Sequence, residues 1–192
     1  VLPGSRRHVI DTVLPRQLEV VRRLAAAGQT VTVGVSCVAE DRAAQVRGHL
    51  AAGGVEARVV VGDNASLLTA ADLVLAASGT ATLEVAYYRK PLIVMYDAGR
   101  LLHWPYRVAG RLVIGLPHLS LVNILAGARV VPEFMPFIRD TGPIAAVAGQ
   151  LLTDATWRAA MVRQLDAVVR PLEATRASGR VLELMGELMG DR

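Results

Sequence analysis

Apolar residues in this chain fall into two alternating kinds of run. Four runs are short, continuous and rich in β-branched residues: "TVTVGVSCV" (30–38), "ARVVV" (57–61), "DLVLAA" (72–77) and "PLIVMY" (91–96). Before and between them the spacing turns helical. Val9, Val13, Leu14, Leu18, Val21 and Leu24 predict a helix over 8–27, with Gly28 as its C-terminal cap. A second helix is predicted over 39–52, ended by Gly53 and Gly54, and Asp63-Asn64 would cap a third over 65–71. A fourth begins near Thr80 and stops before Pro91, because proline disfavours helix at the residue preceding it. Continuous apolar strands separated by helices mark a parallel sheet covered on both faces, so the pattern predicts an α/β fold.

Beyond Tyr96 the alternation weakens. Residues 101–112, "LLHWPYRVAGRL", read as an amphipathic helix, and "LSLVNILAGARVVPEF" (119–134) mixes a short strand, a loop and a turn. From Thr141 helices dominate, over 141–152, 155–170 and 176–189, with Pro171 separating the last two. There is no repeat and no low-complexity linker. The chain opens on Val1-Leu2, which read as the end of a strand with no initiator Met, so a piece of a longer chain is expected.

Composition narrows the class. With 192 residues and 53% hydrophobic content the chain is too apolar for disorder and sized for one packed unit. Asp72, Glu84 and the arginines interrupt every apolar stretch before the roughly 18 residues a membrane span needs, so a soluble or peripheral protein is expected. Cys37, the single cysteine, excludes a disulfide framework and reads as a small buried hydrophobe. The net charge of +4 comes from scattered arginines with Lys90 the one lysine, and aromatics are 4% of the chain, which argues against a nucleic-acid partner. His8, His49, His103 and His118 show no metal-ligand spacing.

Ligands of open α/β sheets bind at the carboxyl ends of the strands, where helix N-termini present free N–H groups. Two turns stand there, "LPGSR" (2–6) and "ASGTATLE" (77–84). In the second, Gly79 allows close backbone approach, and Ser78 and Thr80 place hydroxyls beside amide donors, a setting for phosphate; Ser and Thr are also ordinary helix caps. Glu84 lies one helical turn on and would accept from a vicinal diol such as a ribose, or would simply complement the helix dipole. The first turn is neither a Walker motif nor a dinucleotide fingerprint; it offers a Gly-Ser turn and Arg6, a fork of donors suited to diphosphate. Asp97 and Glu133 follow strand-like segments and would edge the same cleft, or be paired elsewhere.

Taken in order, "LPGSRR", "ASGTATLE", "PLIVMY", "LLHWPYRVAGRLV", "LSLVNILAGARVVPEF" and the helical tail resemble the C-terminal half of the lipid-A-disaccharide synthase family across essentially the whole chain. The resemblance implies the Rossmann-like, UDP-sugar-binding domain of a GT-B glycosyltransferase, with a helical tail from about 141 to 192 and an N-terminal acceptor-binding domain outside this chain. It implies transfer of 2,3-diacylglucosamine from UDP-2,3-diacylglucosamine to 2,3-diacylglucosamine 1-phosphate (lipid X), giving the β-1,6 disaccharide and UDP. No metal or cofactor is implied. By motif, Ser5 and Arg6 would neighbour the diphosphate, Ser78, Gly79 and Thr80 would hold it, Glu84 would bind ribose, and Asn123 with Glu133 would lie near the donor sugar or the cleft. The general base would come from the other domain. The family reads Ser-Leu-Pro-Asn where this chain has Ser120 to Asn123 as "SLVN", so Val122 replaces a proline.

Lipid substrates imply a cytoplasmic enzyme peripheral to the inner face of the membrane, and leave a homo-oligomer open. Trp104 and Tyr106 with Arg100, Arg107 and Arg111 would touch anionic lipid or acceptor, or pack on their own domain. Two other readings share the nucleotide grip: another GT-B UDP-sugar enzyme, such as a UDP-N-acetylglucosamine epimerase or the lipid II-forming N-acetylglucosaminyltransferase, and a non-catalytic nucleotide-binding module.

Overall fold

A computed structural model describes residues 1–97 and 118–174. The amphipathic segment at 101–112, with Arg100, His103, Trp104, Tyr106, Arg107 and Arg111, and the helix expected at 176–189 lie outside the described residues.

The strands are β1 (Gly34–Cys37), β2 (Arg58–Val61), β3 (Val74–Ala77), β4 (Leu92–Met95) and β5 (Glu133–Phe134). The helices are α1 (Arg7–Ala26), α2 (Glu40–Gly53), α3 (Asn64–Ala70), α4 (Ala81–Tyr87), α5 (Leu121–Ala126), α6 (Gly142–Thr153) and α7 (Ala155–Ala174). Every strand pairing is parallel: β1 with β2, and β3 with β4, which pairs in turn with β5.

Val1–Pro3 weld the two groups into one sheet. The Val1 nitrogen donates to Gly34 O at 2.7 Å and Ser36 N donates to Val1 O at 2.9 Å. On the other side Leu2 N donates to Leu75 O at 2.9 Å and Ala77 N to Leu2 O at 2.7 Å, with Leu2 bridged in parallel to Ala76. The order is therefore β2-β1-(residues 1–3)-β3-β4-β5. In chain order this is the Rossmann arrangement, with its topological switch between residues 1–3 and β3. Right-handed crossovers put α1 and α2 on one face of such a sheet and α3 and α4 on the other. The packing agrees, since α1 lies against α2 and α6, while α4 lies against α5 and α7. The α/β, Rossmann-like expectation is borne out.

The buried stripe of α1 shows why the sequence chooses this arrangement. Ile10, Leu14 and Leu18 pack with Val35 and Cys37 of β1 and Val46 and Leu50 of α2, while Val13, Val20 and Leu24 join the core around β3 and β4. Both β3 and β4 are buried along their whole length, which explains their unbroken apolar runs. Gln17 is the polar exception on this stripe. Fully buried, its Nε2 donates to Leu2 O at 3.2 Å and Leu75 O at 3.1 Å, across the weld.

One expected boundary is overturned. The expected break at Pro171 is absent, because α7 continues to Ala174. Proline there forfeits the bond to a single carbonyl in the last described turn, and ion pairs hold the helix from outside: Arg89 Nε lies 3.1 Å from Asp166 Oδ1, and Arg89 Nη2 lies 3.0 Å from Glu173 Oε2. The helix begun at Thr80 ends at Tyr87, where Arg89 takes a left-handed conformation at φ 51° well before Pro91. No helix among the described residues is long and apolar enough to cross a membrane.

Candidate nucleotide site at the carboxyl edge

Residues 1–3 and β3 are neighbouring parallel strands, so the turns that follow them leave the sheet side by side. Gly4 makes this proximity feasible. It sits at φ 95°, and a Cβ there would stand 2.9 Å from Val9 Cγ1 and 3.5 Å from Ala77 Cβ. The overlap with Val9 and the positive φ together favour glycine at this turn.

Past Gly4 the chain turns outward. Ser5 and Arg6 are exposed, and extended Arg6 is the residue from which α1 springs. No side chain caps α1; Val9 N donates to Arg6 O at 3.0 Å, and the Arg7 and His8 N–H groups stand at the positive end of a 20-residue helix. Among the described residues no carboxylate pairs with the Arg6 guanidinium. Its neighbours are committed: Arg7 lies 3.9 Å from Asp41, and Arg42 contacts Asp41 and donates from Nε to Ser5 O at 3.4 Å.

In the second turn Ser78 is half-buried and its N–H extends the ladder to Met95 O at 3.0 Å. Gly79, at φ 152°, and Thr80 are exposed, and a Cβ on Gly79 would meet nothing within 4 Å. The Thr80 side chain makes no capping bond. The local tie is Thr82 Oγ1, fully buried, which donates to Gly79 O at 2.7 Å.

One turn into α4, half-exposed Glu84 helps line a concavity of about 380 Å³ at the carboxyl ends of β1 and β2. Cys37, Val38, Gly62 and Asn64 form its other walls. Asn64 Nδ2 donates to Glu84 Oε2 at 3.0 Å, and Ser36 Oγ donates to Asn64 Oδ1. Asp63 and Asn64, read from sequence as a shared cap, divide their work: Asp63 Oδ1 accepts from Ser66 N at 3.0 Å, while Asn64 turns to Glu84. Cys37 is buried, with its Sγ donating to Ala39 O at 3.1 Å. A second concavity, about 420 Å³, lies between α2 and the start of β2, lined by Leu50, Val55 and Val59 among others, at the opposite edge.

Asn123 and Glu133 form a separate cluster. Asn123 is fully buried at the start of α5; its Nδ2 donates to Val131 O at 2.9 Å and Glu133 Oε2 at 3.1 Å, and its Oδ1 accepts from Val130 N and Val131 N at 2.8 and 2.9 Å. Glu133 further accepts from Ser120 N at 2.9 Å and Leu119 N at 3.3 Å. Burial raises the Glu133 carboxyl pKa, but hydrogen bonds from Ser120, Asn123 and Leu119 outweigh it and hold the group below its ordinary value. With its amide spent on these partners, Asn123 braces the segment from 119 to 133. Glu133 stands on β5, two strands from β3 on the side away from the concavity.

Val122 falls in the first turn of α5, where a backbone N–H has no intrahelical partner, so valine and proline both suit the position; the side chain is fully buried. Asp97 is paired, with Arg16 Nε 3.6 Å from its Oδ2. The structure thus brings Ser5 and Arg6 beside Ser78–Thr80, sets Glu84 at the adjoining concavity, and keeps Asn123 and Glu133 together at another strand. Sequence reasoning missed Ser36 and Asn64. The available signal was Ser36 itself, a polar residue inside an apolar strand.

Among families of known proteins, the one described as lipid-A-disaccharide synthetase matches residues 1–178. Relatives named lipid-A-disaccharide synthase include those of Myxococcus xanthus strain DK1622, 32% identical with 96% of this chain and 48% of the relative covered, and Anaeromyxobacter dehalogenans strain 2CP-C, 34% identical with 95% and 47% covered. The relative from Nitrosococcus oceani is 33% identical, with 99% and 49% covered. The chain spans about half the length of these curated relatives.

Proposed function

The chain belongs to the lipid-A-disaccharide synthetase family, and from that premise we propose that it is the UDP-sugar-binding half of a GT-B glycosyltransferase that builds the lipid A disaccharide. In this reading 2,3-diacylglucosamine passes from UDP-2,3-diacylglucosamine to the 6-hydroxyl of 2,3-diacylglucosamine 1-phosphate, with inversion to a β-1,6 link and release of UDP. The observation that carries it is the pair of adjacent turns at the topological switch, Arg6, with no carboxylate partner among the described residues, on one and open Gly79 on the other, beside a concavity that presents Glu84.

The diphosphate would lie between Ser5-Arg6 and Ser78–Thr80, facing the uncapped start of α1. The ribose diol would bond to Glu84 and the base would enter the concavity. When the acceptor oxygen attacks the anomeric carbon, the departing UDP gains negative charge. Backbone N–H groups and Arg6 would stabilise that charge, and no metal or cofactor is invoked. Asn123 and Glu133 would support the donor-side loop rather than touch the sugar. A general base must take the acceptor's proton, and we assign it to the half of the relatives that this chain does not span. The lipid substrates would set the enzyme against the cytoplasmic face of the inner membrane.

Titration of the chain with UDP tests this reading. Wild-type chain is expected to bind UDP without turning over substrates, and Glu84→Ala and Arg6→Ala each to weaken binding by about 1–3 kcal/mol, the range for a hydrogen bond to a charged group. A folded chain indifferent to UDP, or transferase activity from the chain alone, would contradict it.

A further inference from the structure

Glu84 is not a lone carboxylate on α4. It ends a chain of side-chain hydrogen bonds running from Ser36 Oγ to Asn64 Oδ1 and from Asn64 Nδ2 to Glu84 Oε2, the last at 3.0 Å. The chemistry of the ends fixes every link. An ionised carboxylate only accepts, so Asn64 must present its NH2 to Glu84; its oxygen then faces Ser36, whose hydroxyl must donate. Ser36 is buried on β1 and lies opposite in pleat to Val35 and Cys37, which pack in the α1–α2 core, so the chain is anchored in the sheet. The hydrogen bond of Asn64 engages one carboxylate oxygen and leaves Oε1 for a ligand.

We propose that Asn64 is a positioning residue for nucleotide recognition, holding the Glu84 carboxylate in the orientation that meets both ribose hydroxyls, with Ser36 setting the Asn64 amide. The proposal rests on the reading of Glu84 as the ribose acceptor. A free glutamate on a helix surface would surrender rotamer freedom when it gripped a diol; one already tied to the sheet through Asn64 surrenders less, so the tether appears as affinity for the 2′-hydroxyl.

Titration of the chain and its variants with UDP and with 2′-deoxy-UDP reads this directly. Wild type should prefer UDP. Asn64→Ala should weaken UDP about 3- to 10-fold, the range for ordering one side chain, and should weaken 2′-deoxy-UDP, which keeps only the 3′-hydroxyl for Glu84, by less. Ser36→Ala should move the ratio the same way, and Asn64→Ala should add nothing in a Glu84→Ala background. Should Asn64→Ala fail to unfold cooperatively, Ser36→Ala, which keeps both amide and carboxylate, reads the same ratio. If Asn64→Ala and Ser36→Ala keep the full preference, or weaken both ligands equally while Glu84→Ala abolishes the preference, the positioning role is overturned and the ribose role of Glu84 stands. If Glu84→Ala leaves the preference intact, or the wild-type chain shows none, the ribose reading falls and the proposal with it.

Discussion

Asn123 Nδ2 lies 3.1 Å from Glu133 Oε2, and that contact ties the start of α5 to the first residue of β5. Ser120 completes the tie, its Oγ accepting from Asn123 N at 3.4 Å while its own N–H is taken by Glu133. This resembles a helix capping box in which the acidic partner comes from a distant strand instead of the helix's own first turn. Replacing Asn123 with Ala strands the buried Val131 amide, which relies on Asn123 Oδ1, while Val130 N keeps its bond to Ala128 O at 3.0 Å. Urea unfolding should show a loss of about 1–3 kcal/mol, the range for leaving a buried donor unpaired. A loss near zero would mean the segment finds other partners and that Asn123 is free for a ligand.

The same cluster predicts a pH dependence. Glu133 titrates below its ordinary value of 4.5 in the folded protein, so the folded state binds the proton less readily than the unfolded chain. Its contribution to stability is therefore fully present above about pH 4.5 and is lost as pH falls through the lower, folded-state value. Unfolding measured between pH 7 and pH 3 should show wild type losing more stability on acidification than Glu133→Gln, which has no proton to gain. Parallel acid curves for the two proteins would count against these hydrogen bonds.

Much of the fold was legible because local pattern and tertiary demand agree. The β-branched runs became parallel strands, β3 and β4 buried along their length and β2 half-buried at the sheet edge. At the ends of α1 and α2, Gly28 and Gly54 take left-handed conformations, at φ 83° and 60°, and Gln29 N and Val55 N return to Leu24 O and Leu50 O. The site was legible to the extent that it is contiguous in sequence, as at 4–6 and 78–84. What escaped depends on contacts between distant residues. Ser36 and Asn64 stand 28 residues apart and meet only once β1 and β2 are aligned. Asn123 and Glu133 carry ligand-like side chains, but the fold turns them on one another, which no local spacing announces.

Arg89 shows the same limit at a helix end. Lys90 N returns to Val85 O and Arg89 N to Ala86 O, as in the caps at Gly28 and Gly54, yet the left-handed residue is an arginine at φ 51°. Its guanidinium reaches Asp166 and Glu173 on α7, so the side chain compensates for what the backbone loses. Arg89→Gly should therefore be more stable than Arg89→Ala, since both lose the ion pairs but only alanine keeps the strained backbone. Raising the salt concentration should narrow the gap between wild type and both variants, because these pairs are partly exposed. Thermal unfolding of the three proteins at low and high salt measures both effects; alanine matching glycine would show that the backbone at this position relaxes.

Gly4 and Gly79 belong to the two turns of the proposed diphosphate site, and a Cβ would meet different surroundings at each. At Gly4 a Cβ would come within 2.9 Å of Val9 Cγ1 at φ 95°, so Gly4→Ala meets both steric overlap and backbone strain. It should cost about 1–3 kcal/mol of stability. At Gly79 the backbone is again one that glycine favours, at φ 152°, but a Cβ would have nothing within 4 Å. Gly79→Ala should thus cost about 1–3 kcal/mol from backbone strain without steric overlap, while placing a methyl group where the phosphate would approach the backbone. The expected signature is a Gly79→Ala chain that still folds cooperatively yet binds UDP at least 10-fold more weakly, a loss of about 1.4 kcal/mol. If UDP affinity instead tracks stability in both variants, the second turn serves the fold and the diphosphate lies elsewhere.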